Sequence, residues 1–295
     1  MTANRSAVAF ALLLLTPAVA YILFIVAYPL FDTIVLSFTN AALRPSYDWV
    51  GWANYQKIFS GSKFTEIIIR TIFWTICSVS IKMVIGTLGA VLLNAAIPGQ
   101  TVFRILTMPP WVVPMAIGIY MWGWMYNGQF GMISGLLQNF GILNQPFAFL
   151  GYGTSAFWAT IITDTWIGVP MVTIYLLAAI QSVPRDLYEA AWADGAGRFY
   201  RFRRITLPLI VPALLTMSLL SLIATFNSFD IIWILTQGGP SGQTTTMIID
   251  TFQTGIRSSK YGEGAARAVL ICIFVSIFCL VYFRAVRRLS QGEAR

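Results

Sequence analysis

The sequence predicts an all-α, polytopic membrane protein with six transmembrane helices. Three observations carry that prediction. Of 295 residues, 57% are hydrophobic and only 10% charged, against roughly a quarter charged in soluble domains. The mean hydropathy is +0.73, so most of the chain has no need of water, and a bilayer removes the requirement to hide that surface in one core. Finally, the apolar residues gather into six runs, each near the roughly 20 residues that a spanning helix needs.

The first run covers about residues 8–31. Arg5, the apolar stretch and Ala18-Val19-Ala20 together imitate a secretory signal with a cleavage site. The apolar sequence nevertheless continues to Leu30, where a cleaved signal would turn polar, so the run is read as an uncleaved span. The second lies within 64–96, longer than one crossing requires; it must tilt, kink near Gly86 and Gly89, or protrude. The third, 102–126, contains Pro109, Pro110 and Pro114 and is expected to be bent or broken. The fourth, fifth and sixth cover about 157–180, 207–235 and 265–286. No convincing internal repeat is present, and residues 1–295 read as a single transmembrane domain.

The connections alternate in character. Those around 39–63, 127–153 and 237–264 are long, rich in Gly, Asn, Gln, Ser and aromatics, and poor in Arg. The others are basic: Arg5; Arg104 beside a short Pro-Gly-Gln turn; Arg185, Arg198, Arg201, Arg203 and Arg204; then Arg284, Arg287, Arg288 and Arg295. The positive-inside rule places this second set, and both termini, in the cytoplasm of a bacterial inner membrane. Lys57, Lys63, Arg257 and Lys260 fall on the other side, so the bias is strong but incomplete. This distribution accounts for the net charge of +8 without a nucleic-acid partner. Cys77, Cys272 and Cys279 sit inside apolar runs, and there is no histidine. A metal site or a His-based triad has no material to build from, and no catalytic residue is expected.

Residues 189–208, EAAWADGAGRFYRFRRITLP, stand out as a charged patch in an oily chain. They fall in the cytoplasmic connection between the fourth and fifth runs, within a loop of about 184–204. Pro184 and the acids after it suit a helix start. Ala190, Ala191 and Ala193 favour helix and keep a low profile. Gly195 and Gly197 interrupt it and permit a sharp turn. Phe199, Phe202 and Ile205 are placed to pack the turn back onto the membrane helices, and the arginines to meet anionic lipid. The bland alternative is an amphipathic loop that snorkels its arginines.

The order of residues goes further. Glu189-Ala190-Ala191, then Asp194-Gly195-Ala196, then Phe202, Ile205, Leu207, Pro208 and Pro212 resemble the EAA loop of ATP-binding-cassette importer permeases. WVGWANYQKIF (49–59), FNSFDIIWILTQGGPSGQT (226–244) and LTPAVAYILFIVAYPL resemble segments of the carbohydrate-uptake group, the maltose and glycerol-phosphate type, and of its first permease subunit. The similarity spans nearly the whole chain; Gln237 departs from it, standing where the family often has Gly, so that loop is expected to differ slightly in shape. The resemblance implies a type I ABC importer permease fold in which Glu189, Ala190, Ala191, Asp194, Gly195 and Ala196 form a coupling helix for a separate ATPase. It further implies a second permease as heterodimer partner, two ATPase subunits that hold ATP and Mg, and an external or periplasmic solute-binding protein. The chain has no GxxxxGK[ST] phosphate loop, so no nucleotide cofactor is expected on it.

Polar groups inside spans default to functional candidates, here Lys82, Asp164, Asn227 and Asp230, with Asn94 near a cytoplasmic end. Asn227, Asp230, Ile234, Gln237 and Gly238 fall roughly on one helical stripe, with Trp233 within reach of Asp230. Carboxylate or amide for hydroxyls and an aromatic face for a ring suit a sugar. Asn227, Asp230 and Trp233 are therefore substrate candidates, with Asp164 and Trp166 from the fourth run behind them. Asp164 or Asp230 pairing with Lys82 inside the bundle is the competing explanation. Trp111, Trp122 and Trp124 read as interfacial belt, and Tyr126 and Asn127 as candidates for touching substrate or a delivering protein. The rival function is a secondary transporter driven by an ion gradient through Asp164, Asp230 and Lys82; the absent repeat and the docking loop count against it.

Overall fold

The structure is a computed structural model that describes residues 5–43, 47–95 and 99–292, without the side chains of 5–9, 11, 285 and 288–292. Arg295 and the expected end of the second span at Ala96 lie outside the described residues, as do the side chains of Arg5 and Arg288. Among the described residues the chain is helical, apart from turns and one isolated antiparallel bridge between Thr39 and Trp49. Among the described residues five helices are long and apolar enough to span a membrane, six if the bent pair counts as one span. The chain divides into two compact units, Met1–Phe64 with Asp250–Phe274, and Thr65–Ile249 with Val275–Arg295.

In the first unit, α1 (Arg5–Tyr21), a π-helical stretch (Ile22–Ala27) and α2 (Tyr28–Leu36) run on as one rod. Its spanning part is Leu12–Leu36, past the expected end at residue 31. The polar pair Asp32-Thr33 does not stop it, because Thr33 donates its hydroxyl to the carbonyl of Pro29 and Ile34, Val35 and Leu36 resume the apolar run. The turn after it is clamped by α3 (Ala53–Ser60). Buried Asn54 donates to the carbonyls of Ser37 and Thr39 at 2.9 and 2.8 Å, and Tyr55 hydroxyl meets Ser37 Oγ at 2.8 Å. Asn54 of WANYQKIF thus satisfies backbone that a buried turn would otherwise leave orphaned, while Tyr55 pairs with a side-chain hydroxyl. Further along the same unit, Arg267 pairs with Asp250 at 2.7 Å, and Glu263 pairs with Lys57.

The second unit holds most of the bundle. α4 (Ser62–Asn94), which begins just before the unit boundary, is an unbroken helix of 33 residues. Gly86 and Gly89 do not kink it. They let another helix in: a Cβ at Gly86 would lie 2.7 Å from Val172 Cβ, and one at Gly89 would lie 2.9 Å from Thr173 Oγ1. Small residues at such crossings are what allow membrane helices to approach. Leu93 carbonyl, near the end of α4, accepts bonds from Gln100 and from Arg104, as a cation near a helix C-terminus should.

The third span is broken as its prolines require. α5 (Gln100–Thr107) and α6 (Pro109–Val112) are followed by a 99° bend to α7 (Met115–Met125). Pro109 opens α6 and Pro114 caps α7, with Val113 between them extended, as a residue before proline prefers. α8 (Met132–Asn139) and a loop lead to α9 (Gly153–Gln181), whose face against α4 carries Val172 and Thr173. α10 (Arg185–Ala193), α11 (Arg198–Arg201) and a π-helical stretch (Phe202–Thr206) precede α12 (Leu207–Phe226), which packs on α9. Ala90, Leu93, Val172, Leu176, Leu177, Ile180, Val183, Ile210 and Met217 form the core between α4, α9 and α12.

The expected fifth span, 207–235, is two helices. α12 stops at Phe226, three residues are non-helical, and α13 (Asp230–Thr236) begins again and packs on α7 and α9. Asn227 ends α12 by leaving helical geometry (φ −94°, ψ 8°) and turning its amide back onto the carbonyl of Ile223. α14 (Met247–Phe252), a π-helical stretch (Gln253–Arg257) and α15 (Tyr261–Gly292) complete the chain.

Candidate functional site

The charged patch folds as a short helix with a defined stop. In α10, Asp186 sits in the first turn, and Asp194 is the last half-helical residue. Gly195 follows at φ +78°, with its N–H bonded to Trp192 carbonyl and the N–H of Ala196 to Ala191 carbonyl. Those two bonds, six-to-one and five-to-two, are the Schellman motif. The joint is therefore at Gly195; Gly197, at φ −65°, is an ordinary extended residue. Nothing lies within 4 Å of where a Gly195 side chain would start, so backbone conformation, and not space, asks for glycine here.

Glu189, Ala190, Asp194 and Gly195 are exposed, and Ala191 and Ala196 half-buried. The loop is pinned from below: Tyr188 hydroxyl meets Thr206 Oγ1 at 2.8 Å, and Tyr188 and Ile205 pack against the α4–α9–α12 core. Phe199, expected to pack inward with Phe202 and Ile205, is instead 74% exposed. Trp192 and Tyr200, which the sequence did not single out, are exposed beside it. Three large aromatic side chains close in sequence to the EAA segment are thus exposed.

The intramembrane polar residues do not share one stripe. The break at residues 227–229 interrupts it, and Gln237 lies beyond the end of α13. Asn227 and Asp230 are both exposed, one on the break and one at the first position of α13. Trp233 stacks on Phe229 at 5.4 Å, and both pack against the buried cluster of Trp74, Ile161, Ile232 and Ile249. Trp166 meets Trp122 edge-on at 5.9 Å. Asp164 is 5% exposed and its Oδ2 lies 2.6 Å from Lys82 Nζ.

Beyond α13, the Gly-Gly-Pro segment makes a tightly bonded loop. Arg70 donates to the carbonyls of Gly242 and Thr245 at 3.0 and 3.2 Å, and Thr236 and Thr244 hydroxyls meet at 2.7 Å. Gln237 takes φ +52°, the left-handed backbone that glycine adopts freely and other residues adopt at a cost. A cavity of about 520 Å³ opens between the ends of α7 and α9 and the segment joining them. Trp122, Tyr126, Phe147, Phe149, Tyr152 and Trp158 line it. The sequence reads Trp122 as part of an interfacial belt; the fold in addition brings it together with the other scattered aromatics.

A protein-family model described as "Binding-protein-dependent transport system inner membrane component" matches residues 10–295. The chain belongs to that family. The permease is 35% identical over 276 residues to the trehalose/maltose transport system permease of Thermococcus litoralis, covering 93% of this chain and 92% of the relative. It is 30% identical over 297 residues to the diacetylchitobiose uptake permease of Streptomyces coelicolor (99% and 90% covered). With the sulfoquinovosyl glycerol transport permease of Agrobacterium fabrum it shares 29% over 279 residues (94% and 90% covered). Among solved structures it matches a bacterial ABC transporter that imports alginate, with a TM-score of 0.82 at 21% identity and 96% of each chain covered. The fold is that of the type I ABC importer permeases. The family gives no support to the gradient-driven alternative, and the partners assigned to that relay do not meet as a chain: Asp164 and Lys82 pair with each other while Asp230 is exposed on α13.

Proposed function

We propose that this permease is the transmembrane subunit of an ATP-driven importer for a sugar or sugar-like solute. It works with a second, similar permease, two ATPase subunits carrying ATP and Mg, and an external solute-binding protein, with both of its termini in the cytoplasm. Its relatives are named for trehalose/maltose, diacetylchitobiose and sulfoquinovosyl glycerol, which supports a glycosidic substrate class. One observation carries the coupling reading: the EAA segment is a Schellman-closed helix with Glu189, Ala190, Asp194 and Gly195 exposed, on a chain whose sequence has no phosphate loop.

On this reading ATP binding closes the two motor subunits, and their grooves carry the coupling helices inward. α10 passes that motion to α9 and α12, the helices it joins, and the pathway switches from inward- to outward-facing. Solute contacts fall to Asn227, Asp230 and Trp233, with Trp166 from α9, while Asp164 is held by Lys82. The break at residues 227–229 supports this site, since irregular backbone at membrane depth is tolerated where it lines a cavity or is covered by protein. The test is uptake of labelled maltose, trehalose and chitobiose into liposomes holding the complete assembly. Uptake that needs internal ATP and loaded binding protein is expected; uptake by the permease alone under an imposed ion gradient would overturn the reading.

A further inference from the structure

Lys82 is 5% exposed in the interior of α4, and its ammonium touches two other helices. It lies 2.6 Å from Asp164 Oδ2 of α9 and donates to Thr225 Oγ1 of α12 at 2.8 Å. Space for it is built in: a Cβ at Gly168 of α9 would stand 2.7 Å from Lys82 Cδ and 3.0 Å from Cε. The place of this contact in the bundle matters. α9 and α12 are joined at their cytoplasmic ends by α10. Asp164 lies roughly 26 Å up α9 from Gln181, and Thr225 roughly 27 Å up α12 from Leu207, at about 1.5 Å per residue. The ammonium therefore closes the far end of a frame whose near end is the coupling helix, and the helix break begins two residues beyond Thr225.

Apolar packing alone does not hold such a frame firmly, because lipid tails replace apolar contacts with little loss when membrane helices slide apart. A buried ion pair behaves differently: separating it would leave a charge unpaired in a medium that cannot solvate it. We propose that Lys82 is a positioning residue for transport, tying α4, α9 and α12 into one body so that displacement at α10 reaches the break at residues 227–229 undiminished. The proposal rests on the coupling reading of α10.

The experiment uses the complete transporter in liposomes and compares wild type with Lys82→Met/Asp164→Leu and Thr225→Val. The double variant fills the site with apolar groups of similar size, which preserves folding where a single change would strand a charge. Three quantities are read: yield of assembled complex, ATPase activity stimulated by loaded binding protein, and solute imported per ATP. Assembly and stimulated ATPase are expected to persist while solute per ATP falls roughly tenfold, within the usual range of site-to-site coupling. Unchanged solute per ATP in the assembled double variant would show that the pair only stabilises the bundle and would overturn the proposal. If that variant fails to assemble, Thr225→Val decides by the same ratio, since it removes only the α12 arm: a fall supports the tie and no change defeats it. Failure of the coupling reading itself looks different, as wild type would then show no ATP-dependent import.

Discussion

Replacing Gly195 separates backbone conformation from packing, because a new side chain there meets nothing within 4 Å while the residue sits at φ +78°. Alanine should keep both Schellman bonds and lose about 1–2 kcal/mol to the left-handed backbone. That is roughly a 5- to 30-fold fall in the ratio of formed to unformed turn. Asparagine, which tolerates this region better, should fall between glycine and alanine. Proline cannot reach the conformation, since its φ is fixed near about −65°, and it deletes the N–H that bonds to Trp192 carbonyl. The assay is ATP-dependent uptake normalised to inserted permease, alongside the amount of ATPase that co-purifies. The order Gly, Asn, Ala, Pro is expected in both readouts, with proline abolishing uptake. Equal activity for glycine and proline, or asparagine no better than alanine, would refute the claim that a left-handed stop after α10 is what coupling requires.

Three further outcomes are expected. Glu189→Lys, at an exposed position, should change stability by no more than about 0.5 kcal/mol, yet reduce ATPase co-purification and abolish uptake, which pull-down and transport assays check together. Gly86→Val should be overpacked against Val172 and lose about 1–3 kcal/mol, read as a lowered Tm in detergent. Asn54→Ala removes both N–H donors to the buried carbonyls of Ser37 and Thr39, a loss of about 2–4 kcal/mol; hydrogen exchange should show residues 37–43 and 53–60 opening first.

The bundle and the coupling segment were legible because each is written locally. Six apolar runs announce themselves by length, three prolines announce the bend in the third, and the order Glu-Ala-Ala, Asp-Gly places a helix and its stop within a few residues. What escaped depends on partners distant in the chain. Gly86 and Gly89 read as kink points, yet whether a glycine bends a helix or admits a neighbour is decided by Val172 and Thr173. The stop at Asn227 was hidden by the apolar residues on either side, which keep the run looking continuous to residue 235. The three-residue spacing of Phe199, Phe202 and Ile205 suggests one inward face, but only Ile205 packs on the core while Phe199 is exposed, and spacing alone does not say which way a turn faces. The aromatic cavity is assembled from three separate stretches, so no single window of sequence displays it.

The ion pair also constrains how the protein is made. Asp164 follows Lys82 by 82 positions, so at about 5–20 residues per second the ribosome supplies the acid roughly 4 to 16 s after the base. During that interval the nascent second span carries a lone ammonium, and its long greasy stretches on both sides must outweigh it for the insertion machinery to release it sideways. In a chain stalled before residue 164, this span should therefore still enter the bilayer on the strength of those stretches alone, and shortening them should hold it back until the fourth span arrives.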